Sequence, residues 1–325
     1  MFATFKDIWG NQALLAGLGK ALETGKMAHA YLIMGAEGTQ KETLAHAIAS
    51  AILCDAPTAA GGACGQCESC RYLRDDAHPD FHAVYPDGQN LKIEQLRALR
   101  DEAARHGFRT EKKVFVLFRA ETMTDQAANS FLKILEEPPA GTHFILCTGQ
   151  AARLFPTIIS RCQILKLNRL NTEELEASLS AAFPNLQPQE ARDIAKRSQG
   201  LPERARKAAA PEELARRQAD LALRELVMHG DLADLFRLSS KLEKNKDEVE
   251  RLLVNLSEWF GTDLGTGGSD SGFSAGRIRI VAPLLEEIAL SRQLIRNVNP
   301  RLVLDVLFIE ILRLRGFLQG SRASS

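Results

Sequence analysis

Three short apolar runs, HAYLIMG at 29–35, KVFVLF at 113–118 and HFILCTG at 143–149, are separated by stretches whose apolar residues recur at helical spacing. Runs of this length, rich in Val, Ile, Leu and Phe, read as buried strands. Strands joined through helices rather than tight turns pair in parallel, with the helices covering the sheet. KETLAHAIASAIL supplies a helix after the first run. DQAANSFLKILEE supplies one before the third and stops at Pro138 and Pro139, which cannot continue it. The first half is therefore expected to be a parallel α/β layer.

From Thr172 the texture changes. TEELEASLSAAF, QEARDIAKRSQ, PEELARRQADLALRELVMHG, LADLFRLSSKLE and KDEVERLLVNLSEWFGTDL read as helices, several with an acid-rich first turn. The expected fold class is α/β followed by all-α, cut near Asn168 and Pro211 into 1–167, 168–210 and 211–325; 325 residues suit two or three domains. GTGGSDSGFSAG at 265–276 is expected to be a loop between helices. The closing pair, IVAPLLEEIALSRQLIRN and RLVLDVLFIEILRLRGF, is apolar enough either to pack within its own domain or to meet other chains, and both readings stay open. With 41 basic against 41 acidic residues, net charge gives no general reason to expect affinity for nucleic acid or membrane. No run is long enough for a signal peptide or a membrane span, so a cytoplasmic protein with six reduced cysteines is expected.

MGAEGTQKETLAHAIA at 34–49 nearly completes the phosphate-loop pattern G-x-x-x-x-G-K-[ST], in the strand-to-helix context such a loop needs. Gly35, Gly38 and Lys41 remain to cradle a phosphate. Gln40 puts a side chain where the second glycine lets the backbone approach, and Glu42 replaces the hydroxyl that holds Mg²⁺. Nucleotide hydrolases of this type end the second strand with acids for the metal and the attacking water. VFVLFRAE places Phe118 and Arg119 there, and Glu121 would serve only if the register slipped. Hydrolysis by this chain alone is not expected, and whether ATP binds is left open.

HAYLIMGAEGTQK, LKILEEPP and LFPTIISRC together resemble the clamp-loader subunits of bacterial DNA polymerase III, and the departures at Gln40, Glu42, Phe118 and Arg119 suit the non-hydrolysing δ′ (delta-prime) type better than the γ/τ ATPases. The resemblance covers the whole chain in organisation and is most specific over 29–162. FKDIWGNQALLAGLGKAL is similar to the family's opening region. It implies an AAA+ nucleotide-binding domain, a small helical lid and a helical collar that joins a pentameric ring. Partners would be the γ/τ and δ subunits, with the sliding clamp and primed DNA in the assembled complex, and no membrane. The resemblance also makes Arg161, in the SRC motif, an arginine finger reaching in trans into the neighbour's ATP site. It places Thr148 at a sensor position, where a strand-end hydroxyl is the plainer reading, and Glu203 or Arg204 near a second sensor. Glu136 and Glu137 are expected to close a helix and shape a surface rather than perform acid–base chemistry.

Cys54, Cys64, Cys67 and Cys70 form C-x9-C-x2-C-x2-C with Gly61, Gly62 and Gly65 among them, a spacing suited to tetrahedral Zn²⁺ with a structural role; a redox C-x-x-C would leave two cysteines unexplained. His78 and His82 are possible substitute ligands, while Cys147 and Cys162 read as buried thiols. Two alternatives accompany the clamp-loader reading: a self-sufficient γ/τ-like ATPase, against which Phe118 and Arg119 argue, and a zinc-dependent DNA-binding module, which predicts a basic recognition helix beside the cysteines where ESCRYLRDDAHPD is mixed and ends acidic.

Overall fold

The structure, a computed structural model, describes residues 2–58, 62–109, 111–265, 274–295 and 298–320; of 261–265, 274–281 and 314–320 it describes the backbone alone. The loop expected at 265–276 and Gly61 fall almost wholly outside the described residues. Strands β1 (Ala30–Met34), β2 (Phe81–Val84), β3 (Lys113–Leu117), β4 (Thr142–Thr148) and β5 (Gln163–Lys166) form one parallel sheet of order β2-β3-β4-β1-β5. Helices α1 (Gln12–Glu23), α2 (Lys41–Leu53), α3 (Glu68–Arg74), α4 (Ile93–Ala103), α5 (Asp125–Glu136) and α6 (Pro156–Ile159) intervene. They are followed by α7 (Thr172–Ala182), α8 (Pro188–Arg197), α9 (Pro202–Ala208), α10 (Pro211–His229), α11 (Leu232–Leu242), α12 (Lys246–Gly265), α13 (Ser274–Leu294) and α14 (Pro300–Gly320). A parallel α/β sheet domain followed by an all-α part is thus what the chain folds into. It divides into two compact units, Met1–Glu213 and Leu214–Ser325, with α7–α9 in the first.

In the first unit, alternate residues of each strand serve opposite faces of the sheet. Tyr31, Ile33, Val114, Val116, Ile145 and Cys147 pack against α1 and α2, while Leu32, Phe115, Leu117, Phe144 and Leu146 pack against α4 and α5. Ten consecutive residues of α2, Leu44 to Leu53, are buried, which is why that helix lacks a polar face. The α5 N-terminus is capped by Thr124, whose hydroxyl accepts from the Ala127 amide at 3.2 Å, and α7 opens on a reciprocal Asn171–Glu174 box.

The second unit buries Val227, Leu235, Leu253, Ile288, Leu304 and Phe308 among its helices. Ser239, itself buried on α11, donates to the Asp305 carboxylate on α14, which satisfies a polar pair inside that contact. Leu302, Val306 and Ile309, spaced along one face of α14, stay about half exposed, at 58%, 47% and 48%. Leu290 and Leu294 on α13 are likewise exposed.

Candidate functional site

The phosphate-type loop joins the C-terminal end of β1 to α2, at the edge of the sheet where ligands bind in parallel α/β folds. Gly35 has no room for a side chain, since a Cβ would lie 2.6 Å from Thr39 Oγ1, and Gly38 adopts φ +82. The loop is closed on itself. The Ala36 carbonyl accepts from the Thr39 hydroxyl and from the Lys41 ammonium, each at 2.7 Å, so the lysine is engaged within its own loop.

Gln40 overturns one expectation. Its backbone keeps the left-handed conformation a glycine would take, φ 68, but its side chain turns away from the loop mouth and is buried. Its Oε1 accepts from the Trp9 amide and its Nε2 donates to the Asp7 carbonyl, both at 2.9 Å. The two backbone bonds, out of reach of a glycine, offset the strain of the left-handed backbone, and the side chain does not itself obstruct the loop.

At the end of β3, the Phe118 amide continues the sheet by donating to Val84 at 3.0 Å, which fixes the register. Its ring is 1% exposed, stacked on Tyr85 at 4.5 Å and leaning on His46 at 5.6 Å. Burial lowers the His46 pKa to about 4, so that ring is neutral and unable to offer charge. Glu121 belongs to the turn beyond, Ala120–Thr122, with one carboxylate oxygen buried and unpaired. The Thr148 hydroxyl accepts from the Gln150 amide at 3.1 Å, as a strand-end hydroxyl does.

Over the loop lies α9. The Glu203 amide donates to the Gly38 carbonyl at 3.2 Å, and Leu201 packs on Gly38. Partial burial and then the neighbouring Glu42 push the Glu203 pKa up, against the pull of Lys41. An acid therefore faces the loop where a triphosphate would want a base. Arg204 is exposed, whereas Arg206, which the sequence did not single out, places its guanidinium 4.7 Å from the centre of the Trp9 ring and donates to the Asp7 carbonyl at 3.1 Å.

The four cysteines converge. Their sulfurs lie within 4.8 Å of one another, with Cys54–Cys67 at 3.8 Å, Cys64–Cys70 at 3.9 Å and Cys70–Cys54 at 3.7 Å. Those three separations match the edge of a thiolate tetrahedron, since a Zn–S bond of about 2.3 Å requires sulfurs roughly 3.8 Å apart. They are far too long for disulfides. Backbone amides of Cys64, Gln66, Cys67 and Cys70 point at these sulfurs at 3.3–3.4 Å, which favours thiolates. The amides of Gln66 and Cys67 lower the Cys64 thiol to about 6, while burial pushes Cys70 up. The histidines are not ligands: His78 Nε2 bonds Ser69 Oγ at 2.8 Å and its Nδ1 accepts from the Asp80 amide, and His82 is stacked on Phe115. Arg109 ties the cluster to the sheet domain, pairing with Asp55 at 3.0 Å and Glu68 at 2.7 Å, the residues beside Cys54 and Cys67. That link between residues 41 and 54 positions apart carries no local pattern. Cys147 is buried and Cys162 half-buried.

Arg161 follows α6. Its Nη2 pairs with Glu136 Oε1 at 2.7 Å and its Nη1 donates to the Thr157 carbonyl at 2.9 Å.

Residues 10–171 match a family model described as DNA polymerase III, delta subunit. The chain is 40% identical over 161 residues to the DNA polymerase III subunit delta′ of Bacillus subtilis, covering 49% of this chain and 48% of that one. It is 36% identical over 157 residues to the delta′ subunit of Haemophilus influenzae, covering 48% and 47%. With the tau subunit of Salmonella typhimurium it shares 31% over 176 residues, covering 54% of this chain and 27% of that one. The match thus spans about half the length of the delta′ relatives and lies in the sheet domain that holds the loop, the cysteines and Arg161. Over residues 10–171, half the chain to within a residue, the sequence thus matches the family described as DNA polymerase III, delta subunit.

Proposed function

We propose that the protein is a delta′-type subunit of a DNA polymerase III clamp loader, one that does not hydrolyse ATP itself but completes the ATP site of a neighbouring tau- or gamma/tau-type subunit. The observation that carries this reading is Phe118: a buried ring stands at the strand end where hydrolysis needs a metal-holding carboxylate. Lys41 closed on Ala36 and Glu203 over the loop act in the same direction. Loss of positioned metal and water removes several kcal/mol of barrier lowering, at about 1.4 kcal/mol per tenfold in rate.

In this reading Arg161 is the finger supplied in trans, an always-charged planar group suited to phosphate oxygens. The four cysteines hold one structural Zn²⁺, with no position open for chemistry. The domains are 1–167 with the cysteine module, a lid at 168–210 and a collar at 211–325. The exposed apolar face of α14 supports collar contacts with the other subunits, including δ. The sliding clamp and primed DNA are met within the complex, in the cytoplasm.

The test is reconstitution with the tau- or gamma/tau-type and delta subunits, followed by size exclusion and by clamp- and DNA-stimulated ATPase assays. The reading expects a stable complex whose stimulated hydrolysis requires this chain, while the chain alone is inert. A complex that forms and turns over equally well without it would reject the assignment. Turnover by the isolated chain, abolished in Lys41→Ala, would instead favour a self-sufficient ATPase.

A further inference from the structure

Glu136 stands in a position that helix stability disfavours. It is the last residue of α5, followed by Glu137, and the unsatisfied carbonyls of a helix C-terminus repel a carboxylate. Lysine, arginine or glycine would suit that turn better. The compensation is Arg161: Glu136 Oε1 lies 2.7 Å from Arg161 Nη2.

Both partners are mounted on the same rigid core. Phe131, Ile134 and Leu135 bury the last turns of α5, and Pro138 and Pro139 stop the helix directly behind the acid. Ile158, 0% exposed, anchors α6 in the same cluster, and the Arg161 amide closes that helix on the Ile158 carbonyl at 3.1 Å. From this base the arginine side chain has several free torsions, and a flexible finger must be ordered before it acts. Here two nitrogens are already held, Nη2 by Glu136 and Nη1 by the Thr157 carbonyl at 2.9 Å, while the side chain remains 35% exposed. Two anchors on opposite nitrogens fix the plane of the guanidinium as well as its place.

We infer that Glu136 is a positioning residue for Arg161, holding its guanidinium oriented and accessible for the phosphates of the neighbouring subunit. The inference rests on reading Arg161 as a finger in trans. Glu136 touches no substrate; it acts by sparing the arginine a search through rotamers.

The test uses the assembled complex carrying Glu136→Ala, Glu136→Gln, Arg161→Ala or Glu136→Ala with Arg161→Ala, and measures single-turnover hydrolysis at the adjoining site together with its ATP affinity. Arg161→Ala is expected to slow hydrolysis on the order of a thousandfold. Glu136→Ala is expected to slow it on the order of tenfold at saturating ATP with affinity unchanged. Glu136→Gln, which keeps an acceptor oxygen, should recover most of that loss, and the double variant should be no slower than Arg161→Ala alone. Wild-type hydrolysis in Glu136→Ala beside slow hydrolysis in Arg161→Ala would overturn the positioning role and leave the finger standing. A double variant slower than Arg161→Ala would also overturn it, because Glu136 would then act by another route. Wild-type rates in both single variants would remove the finger itself.

Discussion

The Phe118 ring lies parallel to that of Tyr85, 4.5 Å between centres at 12°, across the end of the strand pair β2–β3. Phe118 is the buried member of that stack and Tyr85 the half-exposed one, so exchange of Phe118 for an acid would put a charge into the core. Phe118→Asp is expected to destabilise the chain by at least about 3 kcal/mol in denaturant unfolding, from lost packing and a buried charge. It should also leave the isolated chain without ATPase, since Arg119 and Glu42 are unchanged. A stable, hydrolysing Phe118→Asp variant would contradict both points.

Metal content is open to direct measurement. Protein purified without chelator should hold one zinc per chain by elemental analysis, and Cys70→Ala should lose it. With four protein ligands the ion is part of the fold, so stripping it should lower the unfolding temperature and increase proteolysis near 54–70. Metal-free protein of undiminished stability would rule out a structural ion.

Glu203 predicts a pH dependence. Its pKa is raised in the folded chain, so the protonated form is the better tolerated one. Its contribution is fully present below the ordinary glutamate range and is lost as pH rises through the raised value. Glu203→Gln should therefore raise the melting temperature at pH 7, and the difference from wild type should shrink as the pH falls below about 4. A gain that persists at low pH would assign the effect to something other than this charge.

Gln40 separates backbone strain from side-chain bonding. Gln40→Gly relieves roughly 1 kcal/mol of left-handed strain but loses two hydrogen bonds worth roughly 1 kcal/mol each, a net loss of about 1 kcal/mol. Gln40→Ala keeps the strain and should lose about 2 kcal/mol. Chemical denaturation ranks the three. If glycine proves more stable than glutamine, the bonds to Trp9 and Asp7 carry little.

The central strands were legible because burial on both faces makes a near-continuous apolar run, as in KVFVL. The two strands without such an apolar run, β2 and β5, are the sheet edges, four residues each and partly exposed, where solvent on one side permits His82 or Gln163 in the run. The cysteine spacing announced the cluster, because ligands brought together by short turns leave a local pattern. Nothing local announced the direction of the Gln40 side chain or the docking of Arg206 on Trp9, contacts that span 31 and 197 positions. Backbone torsion at one residue and long-range packing decide them.

One carbonyl oxygen, that of Asp7, receives both the Gln40 amide group and the Arg206 guanidinium. The loop before α2 and the helix over it are therefore fastened to the same point of the chain's opening segment. Swinging α9 outward would strain the Arg206 bond to Asp7, the contact on Trp9 and the Glu203–Gly38 bond together. The helix over the loop is therefore held through shared anchors, and a small push on α9 meets the resistance of all three contacts at once.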